Sequence, residues 1–225
     1  MSGEEIRKVF MILLEYLGPT LKIFGFTLLY SIPLGMIVAL LKMCKFKPVS
    51  WLTNIYILIM RGTPLMLQII VAYYAVPMLK QNDKLPSFVQ SLLSGINIQD
   101  ENFMFNAIIV AFTLNYAAYF AEIFRGGIES IPKGQYEAAA SLSMTKTQTF
   151  FRIILPQVVK RVVPASSNEV ITLIKDTSLA RIIALQEIIW AGQAFMKGSQ
   201  GIAGEIWPLF FTGLYYLIFS GVLTI

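Results

Sequence analysis

Between Leu21 and Leu41 the chain carries a single charged residue, Lys22. At about 1.5 Å per residue such a run just crosses about 30 Å of hydrocarbon. Inside lipid each backbone N–H and C=O must find its partner within the segment, which makes the run an α-helix. Comparable apolar runs cover 52–78, 103–124 and 206–225. Charged residues make up 14% of the chain, against about 25% in soluble domains, and the mean hydropathy is +0.66. The bilayer is therefore the expected solvent, and the expected fold is an all-α integral membrane domain covering 1–225.

A fifth span is expected at 157–175, where Glu169 interrupts the apolar residues between Arg161 and Lys175. It crosses only if Lys160, Arg161 and Lys175 snorkel at its ends, so a four-span reading stays open. Ahead of the first span, Ile6, Val9, Phe10, Leu13, Leu14 and Leu17 recur at helical spacing. Their apolar run is too short and too acidic at its flanks for a signal peptide, and predicts an amphipathic helix lying along the membrane surface. A shorter apolar piece, 85–98, predicts an interfacial or re-entrant helix, and a Gly-rich turn (Gly198, Gly201, Gly204) leads into the last span. Tyr73, Tyr74, Trp190 and Trp207 read as interface anchors or packing. The last run ends on Ile225 without a basic cap, as expected where a native tail follows or the chain is a trimmed piece.

The net charge of +5 comes from basic residues scattered between apolar runs, with no tract of nucleic-acid type. One cysteine and no histidine leave no disulfide framework, no expected metal site and no common general base. Placing Lys42, Lys45 and Lys47 on the same side as Arg125, Lys133, Lys146, Arg152, Lys160 and Arg161 gives nine basic residues against seven opposite. By the positive-inside rule the stretch 125–156 is then cytoplasmic, with the N-terminus outside and the C-terminus inside.

Two features inside the spans bear on function. Arg61-Gly62-Thr63-Pro64 predicts a kink or loosened turn, because proline lacks an N–H and disfavours helical geometry at the residue before it. Polar residues at membrane depth are candidates for contact with a solute: Arg61, Asn115, Tyr119, Asn168 and Glu169. A solute carrying both a carboxylate and an ammonium would find a cation in Arg61 and an anion in Glu169, beside Asn115 and Tyr119. Those residues equally serve as neutralising pairs or glue between helices. Glu122 and Arg125 are expected to pair locally.

The polar stretch carries a resemblance. Glu137-Ala138-Ala139, a small residue at Ser143 and then Ile154-Leu155-Pro156 resemble the EAA loop of permease subunits in ABC importers. Arg61-Gly62-Thr63-Pro64-Leu65 with Gln68, Ala118 to Gly127, Pro132-Lys133-Gly134-Gln135, Asn168, and Lys175-Asp176-Thr177-Ser178-Leu179 are similar to the polar amino-acid uptake branch. The resemblance implies a type I importer permease whose loop, through Gln135, Glu137, Ala138, Ala139, Ser143, Ile154, Leu155 and Pro156, couples to ATPase subunits. It implies two cytoplasmic ATP-binding subunits holding ATP and Mg, a second identical or similar permease, and an external substrate-binding protein. No cofactor is expected on this chain, which has no Gly-x-x-x-x-Gly-Lys-Ser/Thr phosphate loop. The family usually has Gly where Ser143 stands, which puts the turn geometry in question. Pro156 is expected to interrupt the helix before the chain re-enters the membrane. The expected cargo is a polar amino acid, basic rather than neutral, with glutamine as the alternative. A gradient-driven secondary transporter or channel and a non-transporting assembly subunit are the readings from other classes.

Overall fold

The computed structural model describes residues 3–82, 85–98, 100–198 and 202–224, and all regular structure among them is helical. The expectations for Lys84, Gly201, Ile225 and the Trp207 side chain fall outside the described residues. The helices are α1 (Gly3–Lys42), α2 (Lys47–Gly62), α3 (Leu65–Lys80), α4 (Ser87–Ser94), α5 (Glu101–Glu129), α6 (Lys133–Ser141), α7 (Lys146–Thr149), α8 (Leu155–Asp176), α9 (Ile188–Gly198) and α10 (Ile202–Thr224). A π turn (Phe150–Ile154) joins α7 to α8, and a 3₁₀ helix (Thr177–Ile183) follows α8.

By length and composition α1 and α5 can each cross a membrane, and α2 with α3 form one further broken pair. The break comes from Pro64, which stands as N-cap of α3 with φ −61° and ψ 132°. The expected run 52–78 is thus carried by two helices, with the expected loosening at Thr63-Pro64 a full break. Gln68 Nε2 donates to Thr63 Oγ1 at 2.8 Å and to Thr63 O at 3.2 Å, covering polar atoms that the break exposes.

Three expected boundaries move. The N-terminal amphipathic helix is not a separate element, because α1 runs unbroken for 40 residues. Its inward side is held by protein: Val9 and Leu13 are buried against Ile188 and Ala191 of α9 and Tyr215 of α10. That packing favours continuing the helix over laying it flat on a surface. At the other end α5 runs five residues past Phe124 to Glu129, so the loop begins at Ser130 rather than Arg125. Finally, α10 starts at Ile202, with Gly204 inside it.

The chain forms two compact units. In the unit built from 1–28, 63–113 and 171–225 the packing is aromatic-rich. Phe10 meets Phe211 and Tyr215, Tyr16 lies 5.4 Å from Trp190, and Tyr73 lies 5.6 Å from Phe103, so Tyr73 and Trp190 pack against protein. The other unit, 29–62 with 114–170, has a core of small and aromatic residues including Ala117, Ala118, Phe120, Ala121 and Phe124. Here Gly35 is a close-approach position: a Cβ on it would stand 2.7 Å from Phe120 Cβ and 3.1 Å from the Ala117 carbonyl oxygen.

Candidate functional site

The loop after α5 is built locally. Ser130 Oγ donates to the Gly127 carbonyl at 2.7 Å, Ile131 is buried beneath the turn, and Pro132 enters α6 with φ −59° and ψ 140°. A proline just before the first helical turn loses nothing, since the early N–H groups of a helix have no partner inside it. The Ala-rich helix α6 buries Ala139 and exposes Gln135, Glu137, Ala138 and Ala140. It ends with Met144 N–H donating to Ala139 O at 3.1 Å and Ser143 N–H to Ala140 O at 2.9 Å. That six-to-one and five-to-two pair requires a left-handed residue between them, and Ser143 takes it with φ 55°. The geometry expected of glycine is therefore kept by serine.

Beyond the turn, Thr145 and Gln148 form a reciprocal capping box that starts α7. The chain then runs helically through the π turn into α8, where Leu155 N–H reaches back to Phe150 O. Pro156 does not interrupt this helix. Its ring would clash with the carbonyl four residues back and it has no N–H to donate; the widened turn just before it absorbs both defects. Ile154 is fully buried, Leu155 half-buried and Pro156 exposed.

The predicted coupling residues thus divide. Glu137, Ala138 and Ser143 present themselves to solvent, while Ala139 and Ile154 hold the loop together. Gln135 is a brace: its Oε1 accepts from Gln157 Nε2 at 3.0 Å, and the same nitrogen donates to Ile153 O at 2.9 Å. Arg161 of α8 also donates to the carbonyl of Ser130. Leu142, 75% exposed at the tip of α6, was not singled out in the sequence, because a leucine in an apolar chain gives no signal of its own.

The root of the loop is held by charge. Glu122 accepts from Lys42 Nζ at 2.5 Å and from Arg125 at 2.8 and 3.2 Å, and Arg125 also pairs with Glu129. The Glu122–Arg125 pair follows from helical spacing; the tie to Lys42 on α1 does not.

Of the membrane-depth candidates, three come together. Asn115, buried on α5, donates from Nδ2 to the carbonyl of Met60 at 2.9 Å, supporting one of the last carbonyls of α2. The Arg61 guanidinium lies over the Tyr119 ring, 5.1 Å from its centroid. On α8, Asn168 is exposed and Glu169 half-buried.

One further acid is buried without any local signal in the sequence. Glu187 precedes α9 and accepts from Ile189 N–H and Trp190 N–H, each at 2.9 Å, while Thr20 Oγ1 accepts from Ile188 N–H at 3.3 Å. Burial raises its carboxyl to about 7, against the opposing pull of those N–H donors, of Tyr216 and of Arg181. Glutamate is an uncommon N-cap, so nothing in the string marked it.

The Ala-rich helix α6 thus carries an exposed face on a turn of fixed geometry, in a chain whose long helices are apolar. Residues 31–225 match the family described as binding-protein-dependent transport system inner membrane component. The chain belongs to this family, as an ABC importer permease of the polar amino-acid type. It is 34% identical over 212 residues to the arginine transport system permease protein ArtQ of Bacillus subtilis, covering 94% of this chain and 87% of the relative. A putative glutamine transport system permease protein GlnP of Rickettsia conorii is 32% identical over 204 residues, covering 88% and 82%. The crystal structure of an amino acid ABC transporter with histidines matches with a TM-score of 0.79 at 27% identity, covering 100% of this chain and 96% of that one.

Proposed function

We propose that the chain is one of two permease subunits, identical or similar, that carry a polar amino acid through the cell membrane by turns opening to each side. Basic amino acids (arginine, lysine or histidine) are the preferred cargo. Two cytoplasmic ATP-binding subunits, holding ATP and Mg, grip α6 and its flanking turn; an external binding protein delivers the solute. The chain crosses the membrane five times with its N-terminus outside and its C-terminus and loop inside.

The observation that carries this reading is the exposed face Glu137-Ala138 with Leu142, set on a rigid turn and braced to α8 through Gln135–Gln157. Small side chains let a short helix enter a groove, and the braces pass its movement on as rigid-body motion. For cargo, the half-buried Glu169 favours a cation, and an arginine system among the relatives agrees with it. A glutamine system among the relatives is the specific reason to keep glutamine as second reading.

Reconstitution with the cognate ATPase and binding protein tests the whole. ATP-dependent uptake of labelled arginine, reduced by excess lysine more than by excess glutamine, is expected. Uptake by this chain alone on an ion gradient overturns the importer reading. Glu137→Arg is expected to abolish co-purification of the ATPase while leaving membrane insertion intact; undiminished co-purification removes the coupling role.

A further inference from the structure

A cleft of about 360 Å³ opens beside the end of α1, lined by Lys42, Lys47, Ser50, Trp51, Arg125 and Glu129 among others. It lies outside the coupling helix and among none of the residues considered for the solute. Its walls are fixed. Ser50 Oγ donates to the Lys42 carbonyl at 2.7 Å, joining α2 to the end of α1, and Glu122 holds Lys42 and Arg125 from behind.

Its charge is unbalanced. Three lining cations face Glu129 and the bridging Glu122, which leaves one positive charge, and Lys45 in the same connection adds another. Lys42 and Arg125 have carboxylate partners. Lys47 is exposed and has no ion-pair partner among the described residues.

Its depth follows from the apolar residues around it. Leu40 of α1 is 56% exposed, one helical turn or less before Lys42, and Phe46, Trp51 and Leu52 are 63%, 64% and 61% exposed. Leu40 lies on a helix apolar and long enough to cross a bilayer, where it meets acyl chains, and Lys42, Lys45 and Lys47 after it mark where hydrocarbon ends; Trp51 opens the following helix beside them. Tryptophan at that level sits among headgroups, with its ring toward the glycerol region. A basic pocket between helices at headgroup depth, lined by an exposed indole and close to the exposed Leu40, suits a phosphate that is tethered to acyl chains.

We propose that this cleft binds the phosphate headgroup of an anionic phospholipid, with Lys47 as the principal cation and Trp51 against the glycerol backbone. The proposal rests on the chain being a membrane protein and not on the identity of its cargo. Losing transport therefore does not test it, and losing lipid does not test the cargo.

The test uses the permease co-purified with its ATPase from nanodiscs of mixed phosphatidylcholine and phosphatidylglycerol, with retained lipid counted by native mass spectrometry. Phosphatidylglycerol is expected to be kept in preference to phosphatidylcholine. Lys47→Glu is expected to lower that retention about fivefold or more, as about 1 kcal/mol per surface cation implies. Lys47→Arg is expected to preserve it, and Trp51→Ala to weaken it for both lipids. Equal retention by Lys47→Glu and the native chain overturns the proposal, as does equal retention of the two lipids. Displacement of the lipid by millimolar inorganic phosphate assigns the site to a free ion instead. Lipid kept only when the ATPase is stripped away shows that an acidic protein surface covers the cleft, and likewise overturns it.

Discussion

The N–H of Met144 donates to the carbonyl of Ala139 across 3.1 Å, and the chain closes that bond by passing through left-handed geometry at Ser143. A residue with a Cβ pays about 1 kcal/mol there relative to glycine. Ser143→Gly is expected to stabilise the turn by about that amount, slowing amide exchange at Met144 about fivefold without loss of transport. Hydrogen-exchange mass spectrometry on the loop peptide checks it; unchanged or faster exchange means the strain lies elsewhere.

Glu122 neutralises two cations from two helices, and all three side chains are largely withdrawn from water. Removing the acid leaves Lys42 unmatched and Arg125 with Glu129 alone. Glu122→Leu is expected to cost about 2 kcal/mol, below the ~3–5 kcal/mol of a fully buried pair because water still reaches the site. Adding Lys42→Met should recover part of the loss. Thermal melting of the four proteins of this cycle measures the coupling, and strictly additive losses would deny it.

Glu187 gives the fold a pH dependence whose sign is fixed by its raised carboxyl. Its folded value of about 7 exceeds an unfolded value near 4.5, so the folded chain holds the proton more tightly. Stability from this group is complete below the unfolded value and declines as pH rises from about 4.5 to 7. Stability, followed as melting temperature, is expected to fall between pH 5 and pH 8, by at most about 3 kcal/mol. Glu187→Gln should flatten the profile. A profile equally steep in that variant assigns the dependence to another group.

Gly35 and Gly25 lie on the same helix and are expected to respond oppositely. A methyl at Gly35 meets Phe120 Cβ and the Ala117 carbonyl oxygen, whereas at Gly25 nothing among the described residues outside the helix's own neighbouring backbone lies within 4 Å. Gly35→Ala should lose about 2 kcal/mol through forced separation, while Gly25→Ala should gain up to about 1 kcal/mol from helix propensity. Melting curves in one detergent compare them directly.

Much of this was legible in the string because lipid leaves the backbone few choices. Apolar runs marked the long helices, and Pro64 marked a bend after Arg61-Gly62-Thr63, though not its completeness, nor α9 within the connection after α8. The α6 helix and its turn were legible from Ala138 to Ala140 and from the demand for a small residue at Ser143. Boundaries were less so: nothing in residues 15 to 21 says that Val9 and Leu13 will find Tyr215, and that distant packing is what keeps α1 in one piece. The Lys42–Glu122 tie joins residues 80 apart, beyond any local pattern. Pro156 signals a stop only where a regular α-helix lies ahead of it, and here a π turn does.

The π turn at Phe150–Ile154 has a consequence for how α8 faces its surroundings. One additional residue in a turn retards the angular phase of all that follows by about 100°. A helical wheel started at Thr145 therefore assigns wrong azimuths to Asn168 and Glu169, turning a side chain drawn toward one neighbour by more than a quarter of a circle. Only counting restarted after Pro156 keeps the register that decides which of these residues faces lipid and which faces protein.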